Sequence, residues 1–238
     1  MVKGRLFLVP VTLGSNDYGY VIPGKVITII RTLRNFIVED VRSARRFLRL
    51  VDHEFPIDDC SFMILDKHTD REDIGRMLLP LSKGFDARLM SEAGIPGIAD
   101  PGSDLVLQAH ASGFSVIPLS GPSSIFLALM SSGLNGQNFA FNGYLPINRI
   151  DRIREIKRLE SLARRGQSQI FMETPYRNMK LLEDIAATVS NDIYLCIAAN
   201  LSHQDEFIMT RPIAGWKKDG FPDIDRKPAI FIIGENPA

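Results

Sequence analysis

The stretch from Arg88 to Gly102 constrains the fold more than any other part of the chain. Three glycines and two prolines fall within the nine residues Gly94–Gly102, between an apolar run at Ala87–Met90 and a helical pattern at Asp104–Ala111. Glycine lets the backbone adopt positive φ and approach a ligand closely, and proline fixes its own φ. A connection between a strand and a helix usually has ~2–6 residues and is less rich in both. At the carboxyl end of a strand in an open α/β sheet, such a loop predicts ligand binding, with an ordinary connection as the alternative.

Short apolar runs alternate with helical patterns, which predicts a layered α/β fold. Strands are predicted at Arg5–Val9, Asn35–Val38, Ser61–Leu65, Ala87–Met90, Ser115–Leu119, Phe139–Phe141, Gln169–Glu173, Ile193–Asn200, Glu206–Thr210 and Ala229–Ile233. Helices are predicted at Val41–Leu50, Arg71–Ser82, Asp104–Ala111, Ile125–Ser131, Arg149–Arg164 and Asn178–Val189, and a polar loop at Val11–Gly24.

The segment Asn142–Asn148 interrupts this alternation and predicts a domain boundary. We therefore expect an N-terminal α/β domain at 1–143 with a mainly parallel sheet, ending in the strand at Phe139–Phe141. A C-terminal α/β domain at 144–238 is expected to have a mixed sheet with more antiparallel character.

The composition is that of a globular protein, with 45% hydrophobic and 24% charged residues. Two distant cysteines, Cys60 and Cys196, predict no disulfide framework. No apolar stretch approaches the ~18 residues of a membrane span, so we expect a cytoplasmic protein that does not enter membranes. The phosphate-binding glycine motifs of dinucleotide and triphosphate sites are absent from the sequence, as is the ligand spacing of zinc sites.

A second uncharged turn, Ser120–Ser124, follows the next predicted strand. Its serines are suited to cap the following helix, to donate to a ligand, or to do both. Together with the loop at Ala93–Gly102, it predicts a pocket lined mainly by backbone N–H and C=O groups. Such a pocket suits a zwitterionic or adenine-bearing ligand better than a triphosphate.

Most of the chain carries motifs in an order shared by one enzyme family. They are Val9-Pro10 with Gly14, Glu39-Asp40 with Arg42, His68, Ser91–Gly102, Gly121–Ser123, Ser132–Leu134, Gly143–Pro146 and Glu173–Arg177. On these residues the chain resembles the tetrapyrrole methylase superfamily of S-adenosylmethionine-dependent methyltransferases. Within it, the chain is most similar to the subfamily that methylates a ribose 2′-hydroxyl of bacterial small-subunit ribosomal RNA.

The resemblance implies that S-adenosylmethionine, as methyl donor, binds in a cleft between two α/β domains, with no metal. It also implies a homodimer, with RNA or the small ribosomal subunit as partner. Residue by residue, it implies that the cofactor lies near Ala93, Gly94, Ile95, Gly97, Ile98, Ser123, Ser124, Tyr176 and Ala198.

Three segments depart from the family pattern, all on the acceptor side. Ser15–Lys25 is an apparent insertion, Asp40-Val41-Arg42 stands where relatives have Asp-Thr-Arg, and the basic turn at Ile147–Arg149 is thin. Three functions therefore stay open. They are an RNA methyltransferase, a small-molecule methyltransferase acting on a tetrapyrrole-like compound, and a non-catalytic relative that binds S-adenosylmethionine or RNA.

A neutral hydroxyl acceptor must lose its proton as the new bond forms. Carboxylates at predicted strand ends are the candidate bases, namely Glu39, Asp40 and Asp100, and we expect Asp40 and Glu39 to be catalytic. Capping of the next helix is the favoured interpretation for Asp100, and a structural ion pair is the alternative for Asp40. His68 follows a strand end and is a further candidate.

Two basic segments are candidates for contact with a polyanion. Arg42, Arg45, Arg46 and Arg49 share one helix face, and Arg149, Arg152, Arg154, Lys157 and Arg158 follow the predicted boundary. Solvated helix faces are the alternative interpretation of both.

Overall fold

Each of the two halves of the chain forms its own five-stranded sheet. The computed structural model describes residues 2–235. The backbone divides into two compact units, the first ending at Ser123 and the second beginning at Ser124. Each is described by itself.

The sheet of the first unit is parallel throughout, with strand order β3-β2-β4-β1-β5. Its strands are β1 (Arg5–Val9), β2 (Asn35–Val38), β3 (Ser61–Ile64), β4 (Ala87–Met90) and β5 (Ser115–Pro118). Its helices are α1 (Tyr18–Val21), α2 (Gly24–Thr32), α3 (Val41–Val51), α4 (Arg71–Met77), α5 (Leu79–Ser82) and α6 (Gly102–Ala111), with a 3-10 turn at Ile57–Asp59. This confirms the predicted α/β class and the parallel first sheet.

Both faces of this sheet are covered, as parallel strands require. Alternate strand residues feed two apolar clusters. Phe7, Val9 and Met90 pack with α2 and α3, whereas Leu6 and Leu89 pack with α4 and α6. Because all five strands are parallel, their carboxyl ends lie along one edge of the sheet, and the loops that follow them gather there.

The second unit has a mixed sheet with strand order β6-β7-β10-β8-β9. Its strands are β6 (Phe139–Tyr144), β7 (Ser168–Met172), β8 (Tyr194–Ala199), β9 (Phe207–Pro212) and β10 (Ala229–Gly234). Its helices are α7 (Ser124–Ser132), α8 (Arg149–Ala163), α9 (Asn178–Thr188) and α10 (Ile213–Asp219), with a 3-10 turn at Pro175–Arg177. Only β6 and β7 pair in parallel, so the predicted antiparallel character is confirmed.

The strand at Phe139–Phe141 was expected to close the first domain, and that prediction is wrong. β6 hydrogen-bonds to β7 in the second sheet, with Phe141 opposite Ile170. The backbone accordingly divides at Ser123/Ser124, about twenty residues before the predicted boundary. The interruption at Asn142–Asn148 therefore lies inside the second unit, where it forms the end of β6 and the connection to α8.

Two helix predictions also need correction. The helix predicted at Arg71–Ser82 is two helices, α4 and α5, that meet at Leu78, because Pro80 has no N–H to give to the carbonyl four residues before it. The loop predicted at Val11–Gly24 contains the short helix α1, which Asp17 caps by accepting a hydrogen bond from the Tyr20 N–H at 3.1 Å.

Within the residues described, no helix has the length and apolarity needed to cross a membrane. Over the same residues, no three His, Cys, Asp or Glu side chains come together as a metal site would require.

Candidate active site

Three adjacent strands of the first sheet end in register. Val38 of β2 pairs with Met90 of β4, and Met90 pairs with Val9 of β1. The residues that follow them, Glu39, Ser91 and Pro10, therefore leave the sheet side by side. A carboxylate and two backbone-rich loops start at one place on the sheet edge.

The loop after β4 is tied to the loop after β1 by two backbone hydrogen bonds. Val11 N–H donates to Gly94 C=O at 2.8 Å, and Gly94 N–H donates to Thr12 C=O at 3.4 Å. Gly94 has φ +72°, which favours glycine. A Cβ at Gly94 would also stand 3.3 Å from the Pro122 carbonyl oxygen, so the turn after β5 lies against the same residue.

The two glycine- and proline-bearing turns predicted to act together are therefore neighbours. Gly121 packs on the other side of the β1 loop, against Pro10. This confirms that the turns meet within the first unit. It follows from the strand order, because β1 lies between β4 and β5.

The Asp100 side chain fixes the conformation of the loop after β4 by accepting hydrogen bonds from its backbone. Its carboxylate accepts hydrogen bonds from the Gly97 N–H at 2.8 Å and from the Gly102 N–H at 2.9 Å. Gly102 is the first residue of α6. Pro101 is the N-cap residue, but Asp100 accepts a hydrogen bond from the N–H of the first helical residue, as the capping interpretation expects in part. Burial raises the pKa of the Asp100 carboxyl despite these two bonds.

Apolar groups at the loop surface face solvent. Ala93, Ile98 and Ala99 are exposed, while Gly94 is buried and Ile95 and Gly97 are half-buried. Ile98 exposes 41% of its surface, a high fraction for an isoleucine. The loop thus exposes backbone groups of fixed conformation and a small apolar surface to a ligand.

Glu39 and Asp40 are neighbours in sequence, but their surroundings shift the pKa values of the two carboxyls in opposite directions. Burial, followed by the negative charges of Asp100 and Glu92, raises the pKa of Glu39 to about 7. Asp40 is the N-cap of α3, and its carboxylate accepts a hydrogen bond from the Ser43 N–H at 2.6 Å. That hydrogen bond lowers the pKa of Asp40. Glu39 is therefore the stronger base of the two near neutral pH.

The predicted cofactor residues beyond this loop fall at and after the division between the units. Ser123 is buried at the end of the first unit, and Ser124 is the half-buried first residue of α7. In the second unit, Tyr176 exposes 67% of its surface, with the Arg177 guanidinium 5.3 Å from its ring centre. Ala198 is fully buried between Ile230 and Ile208. Their roles in binding stay predictions.

The two basic segments differ sharply in the structure. In α8, Arg149 and Arg152 both pair with the buried Asp184, at 2.9 and 2.6 Å. Arg154 pairs with Asp151 and Arg158 with Glu155. Four of the five basic residues predicted on α8 are thus paired with carboxylates of the second unit, and contact of this helix with a polyanion stays a prediction.

The arginines of α3 keep their charge available. All four side chains that share the helix face are exposed, and none forms an ion pair within residues 2–235. Arg45 lies over the Phe62 ring at 5.3 Å, and Arg49 donates to the His53 carbonyl oxygen. An arginine that lies over an aromatic ring keeps its positive charge and can still bind a phosphate.

His68 is in the loop after β3. It follows β3, the edge strand of the sheet, and its backbone N–H donates to the Asp66 carboxylate at 2.7 Å. A shallow hollow of about 530 Å³ surrounds it, lined also by Met63 and Thr69. Nothing here joins His68 to Glu39, so its role as a site residue stays a prediction.

The sequence does not predict a cavity that lies beside the site. A cavity of about 360 Å³ lies between the loop after β1 and α3, and Ser91 and Glu92 line it as well. The helical spacing of Ser43, Arg46, Phe47 and Leu50 hinted at a shared face. The partner of that face, the segment Gly14–Asn16, is distant in sequence.

Comparison with known proteins places the chain among methyltransferases. No protein-family model matches the chain. It is 32% identical, over 90% of its length and 72% of the relative's, to ribosomal RNA small subunit methyltransferase I of Pseudomonas aeruginosa. The protein of the same name from Escherichia coli O157:H7 is 29% identical over 97% of this chain and 77% of its own. Among solved structures, the methyltransferase CobJ has the same fold, with a TM-score of 0.65, 16% identity and coverage of 98% of this chain and 94% of its own.

Proposed function

The chain belongs to the family of the ribosomal RNA small subunit methyltransferase I proteins, and from this premise we propose that it transfers the methyl group of S-adenosylmethionine to ribosomal RNA of the small subunit. The specific acceptor that we propose is a ribose 2′-hydroxyl. The observation that carries the proposal is the group of loops at one edge of the first sheet, where bare backbone and a carboxylate of raised pKa adjoin.

The residues of the first unit fit the proposed methyl donor. Gly94 and Gly121 stand where a Cβ would press on Pro122 and Pro10, and Gly97 has φ +84° with open space beside it. This leaves backbone groups at the loop surface for an amino acid or adenine moiety. The exposed Ala93 and Ile98 offer apolar contact to the adenosyl group. Ser123, Ser124, Tyr176 and Ala198 complete the proposed binding set.

S-adenosylmethionine supplies an electrophilic methyl group when bound, and the chain's own residues must do the rest. An in-line displacement gains most from alignment of the acceptor and exclusion of water. The hydroxyl also needs a base, and we assign Glu39 this role. Its raised pKa lies close to neutral pH, where a general base is most effective. Asp40 supports the site by fixing the start of α3.

Binding of ribosomal RNA is assigned to α3 rather than to α8. The exposed arginines of α3 form no ion pairs within the described part of the chain, so they offer charge to phosphates at low desolvation cost. We expect the affinity for small ribosomal subunits to fall as salt rises. The double variant Arg45→Glu plus Arg46→Glu should weaken it further, and an affinity that ignores salt would contradict this assignment.

Two further properties belong to the proposal. We propose that the protein is a homodimer and that it works in the cytoplasm, where its acceptor is found. Support for both comes from the family resemblance alone. Light scattering coupled to size exclusion tests the dimer directly, because a monomeric mass at micromolar concentration would overturn it.

The deciding experiment is radiolabelled methyl transfer. Calorimetry with S-adenosylmethionine comes first, and purified protein is then incubated with unmethylated small ribosomal subunits, bulk RNA and tetrapyrrole precursors in parallel. We expect label in the small-subunit RNA, released on nuclease digestion as a 2′-O-methylated nucleoside. Label in the tetrapyrrole would assign the small-molecule function instead. Binding without transfer to any acceptor would indicate a non-catalytic relative.

A further inference from the structure

The cavity between the β1 loop and α3 has the size and the chemistry of a ligand site. Its volume of about 360 Å³ lies at the lower end of the range of ~300–1,000 Å³ that is usual for small-molecule pockets. Both polar and apolar residues line it. The polar ones include Thr12, Asn16, Ser43, Arg46 and Glu92, and the apolar ones include Phe47.

Charged side chains of both signs line this cavity. Arg46 is exposed on α3 and has no acidic partner within residues 2–235. Glu92, at the start of the loop after β4, also lines the cavity and is exposed. A ligand that carries an anion at one end and hydrogen-bond donors at the other would satisfy both groups. A nucleotide has this pattern, with a phosphate followed by ribose hydroxyls and base amino groups.

The acidic side of the cavity adjoins the proposed transfer site. Ser91 and Glu92 line the cavity, and Ser91 leaves the sheet beside Glu39, because Val38 and Met90 are paired. The negative charge of Glu92 is close enough to affect Glu39. A sugar held near Glu92 would therefore have its hydroxyls near the proposed base.

We propose that this cavity receives one unpaired nucleotide of the acceptor RNA, with its phosphate on Arg46 and its ribose toward Glu92. The inference rests on the proposed function, since it specifies how ribosomal RNA reaches the same site. Single-stranded nucleotides are splayed out of their stack when a protein reads or modifies them, and Phe47 and the apolar part of α3 would shelter such a nucleotide.

The test combines two substitutions that act on the cavity in different ways. Arg46→Ala removes the phosphate contact, and Asn16→Trp fills the space from an exposed position. We expect each to raise the KM for small ribosomal subunits on the order of tenfold, as loss of a charge-assisted hydrogen bond would. Arg46→Ala should also lower the salt slope of subunit binding by about one. Arg46→Lys should recover part of the affinity.

Matched controls separate this effect from misfolding. Arg76→Ala removes another exposed arginine of the first unit, one that is paired with Glu72 and Asp73. Gln137→Trp adds an exposed tryptophan outside the cavity. Both should keep the wild-type KM. All four alanine and tryptophan variants should bind S-adenosylmethionine with the wild-type Kd, measured by calorimetry.

The outcomes distinguish this inference from the proposed function. If wild-type protein methylates small-subunit RNA and both cavity variants match it in KM and salt slope, the nucleotide site is wrong and the function stands. If wild type binds subunits through Arg46 but transfers no methyl group, the site stands and the function is wrong. If wild type neither binds nor methylates subunits, both are wrong.

Discussion

Gly121 lies so close to Pro10 that a Cβ on the glycine would stand 2.2 Å from the Cβ of the proline. The turn after β5 can therefore rest on the loop after β1 only while position 121 has no side chain. Through Pro122, the same turn reaches Gly94 on the loop after β4. This contact, together with the two backbone hydrogen bonds between the loops after β1 and β4, sets the spacing of the three loops in the proposed cofactor site.

Gly121→Ala is expected to disturb this spacing. Overpacking of a rigid contact costs about 1–3 kcal/mol, and the turn must shift to relieve it. We expect a lower Tm and at least a tenfold weaker Kd for S-adenosylmethionine by calorimetry. Gly24→Ala is the matched control, because nothing lies within 4 Å of its added Cβ. Full cofactor affinity in Gly121→Ala would show that the spacing of these turns does not matter for binding.

Glu39→Gln tests the proposed base through its pH profile. Because burial and neighbouring carboxylates raise the pKa of Glu39 to about 7, the wild-type rate should increase with pH across that value and level off above pH 8. The glutamine variant should lose at least a hundredfold in kcat and its rate should no longer follow that titration. Retention of the same pH profile in Glu39→Gln would assign the titration to another group.

The raised pKa of Glu39 also predicts how the stability of Glu39→Gln, relative to wild type, changes with pH. The pKa of Glu39 is higher in the folded protein than in the unfolded chain, so the folded state binds more protons between pH 4.5 and about 7. The contribution of Glu39 to stability is therefore fully present below the unfolded pKa and is lost as pH rises through 7. Relative to wild type, Glu39→Gln should gain in Tm as pH rises from 5 to 8. A constant difference across this range would contradict the raised pKa.

Two substitutions of Asp40 distinguish a capping role from a catalytic role of its carboxylate. Asparagine accepts the same N-cap hydrogen bond from Ser43, whereas alanine cannot. We expect Asp40→Asn to keep its Tm and most of its methyl transfer, and Asp40→Ala to unfold at lower temperature. If Asp40→Asn folds normally but loses methyl transfer a hundredfold, the carboxylate itself acts in the reaction and the capping account is incomplete.

Local features of the fold were predictable because they depend on local sequence. Apolar runs locate the strands of both sheets, and glycines and prolines locate the loop at Ala93–Gly102. The allocation of β6 to the second sheet was not predictable, since its pairing with β7 depends on residues far away in the chain. The break in the helix predicted at Arg71–Ser82 is missed although Pro80 marks it, because the apolar period runs across the proline.

The site was predictable in its residues but not in their roles. Glu39 and Asp40 look equivalent in sequence, and only the three-dimensional structure shows that one caps α3 while the other stands near Asp100 and Glu92. The same holds for the arginines. Those of α8 and α3 have similar patterns, but Asp184, which pairs with Arg149 and Arg152, lies more than thirty residues away on α9.

Two buried arginines offer a last contrast. Arg88 of β4 is fully buried, donates from Nη2 to the Ile30 carbonyl oxygen at 2.7 Å and lies 3.7 Å from the Phe36 ring centre. Its Nε and Nη1 atoms have no partner within the described residues, and burial lowers the pKa of Arg88 to about 8. Arg152 is equally buried, but it is bound to Asp184 through two nitrogens.

The same substitution should therefore have different costs at the two positions. Arg88→Met loses one charge-assisted hydrogen bond and one ring contact, but it also removes two buried donors that lack partners, each costing about 1–3 kcal/mol. We expect its free energy of unfolding to stay within about 1 kcal/mol of wild type. Arg152→Met leaves the buried carboxylate of Asp184 paired with Arg149 alone. We expect it to lower the free energy of unfolding by about 3 kcal/mol, at the lower end for a broken buried pair. Urea unfolding of both variants measures the difference, and an equal loss at the two positions would mean that the free donors of Arg88 are satisfied by bound water.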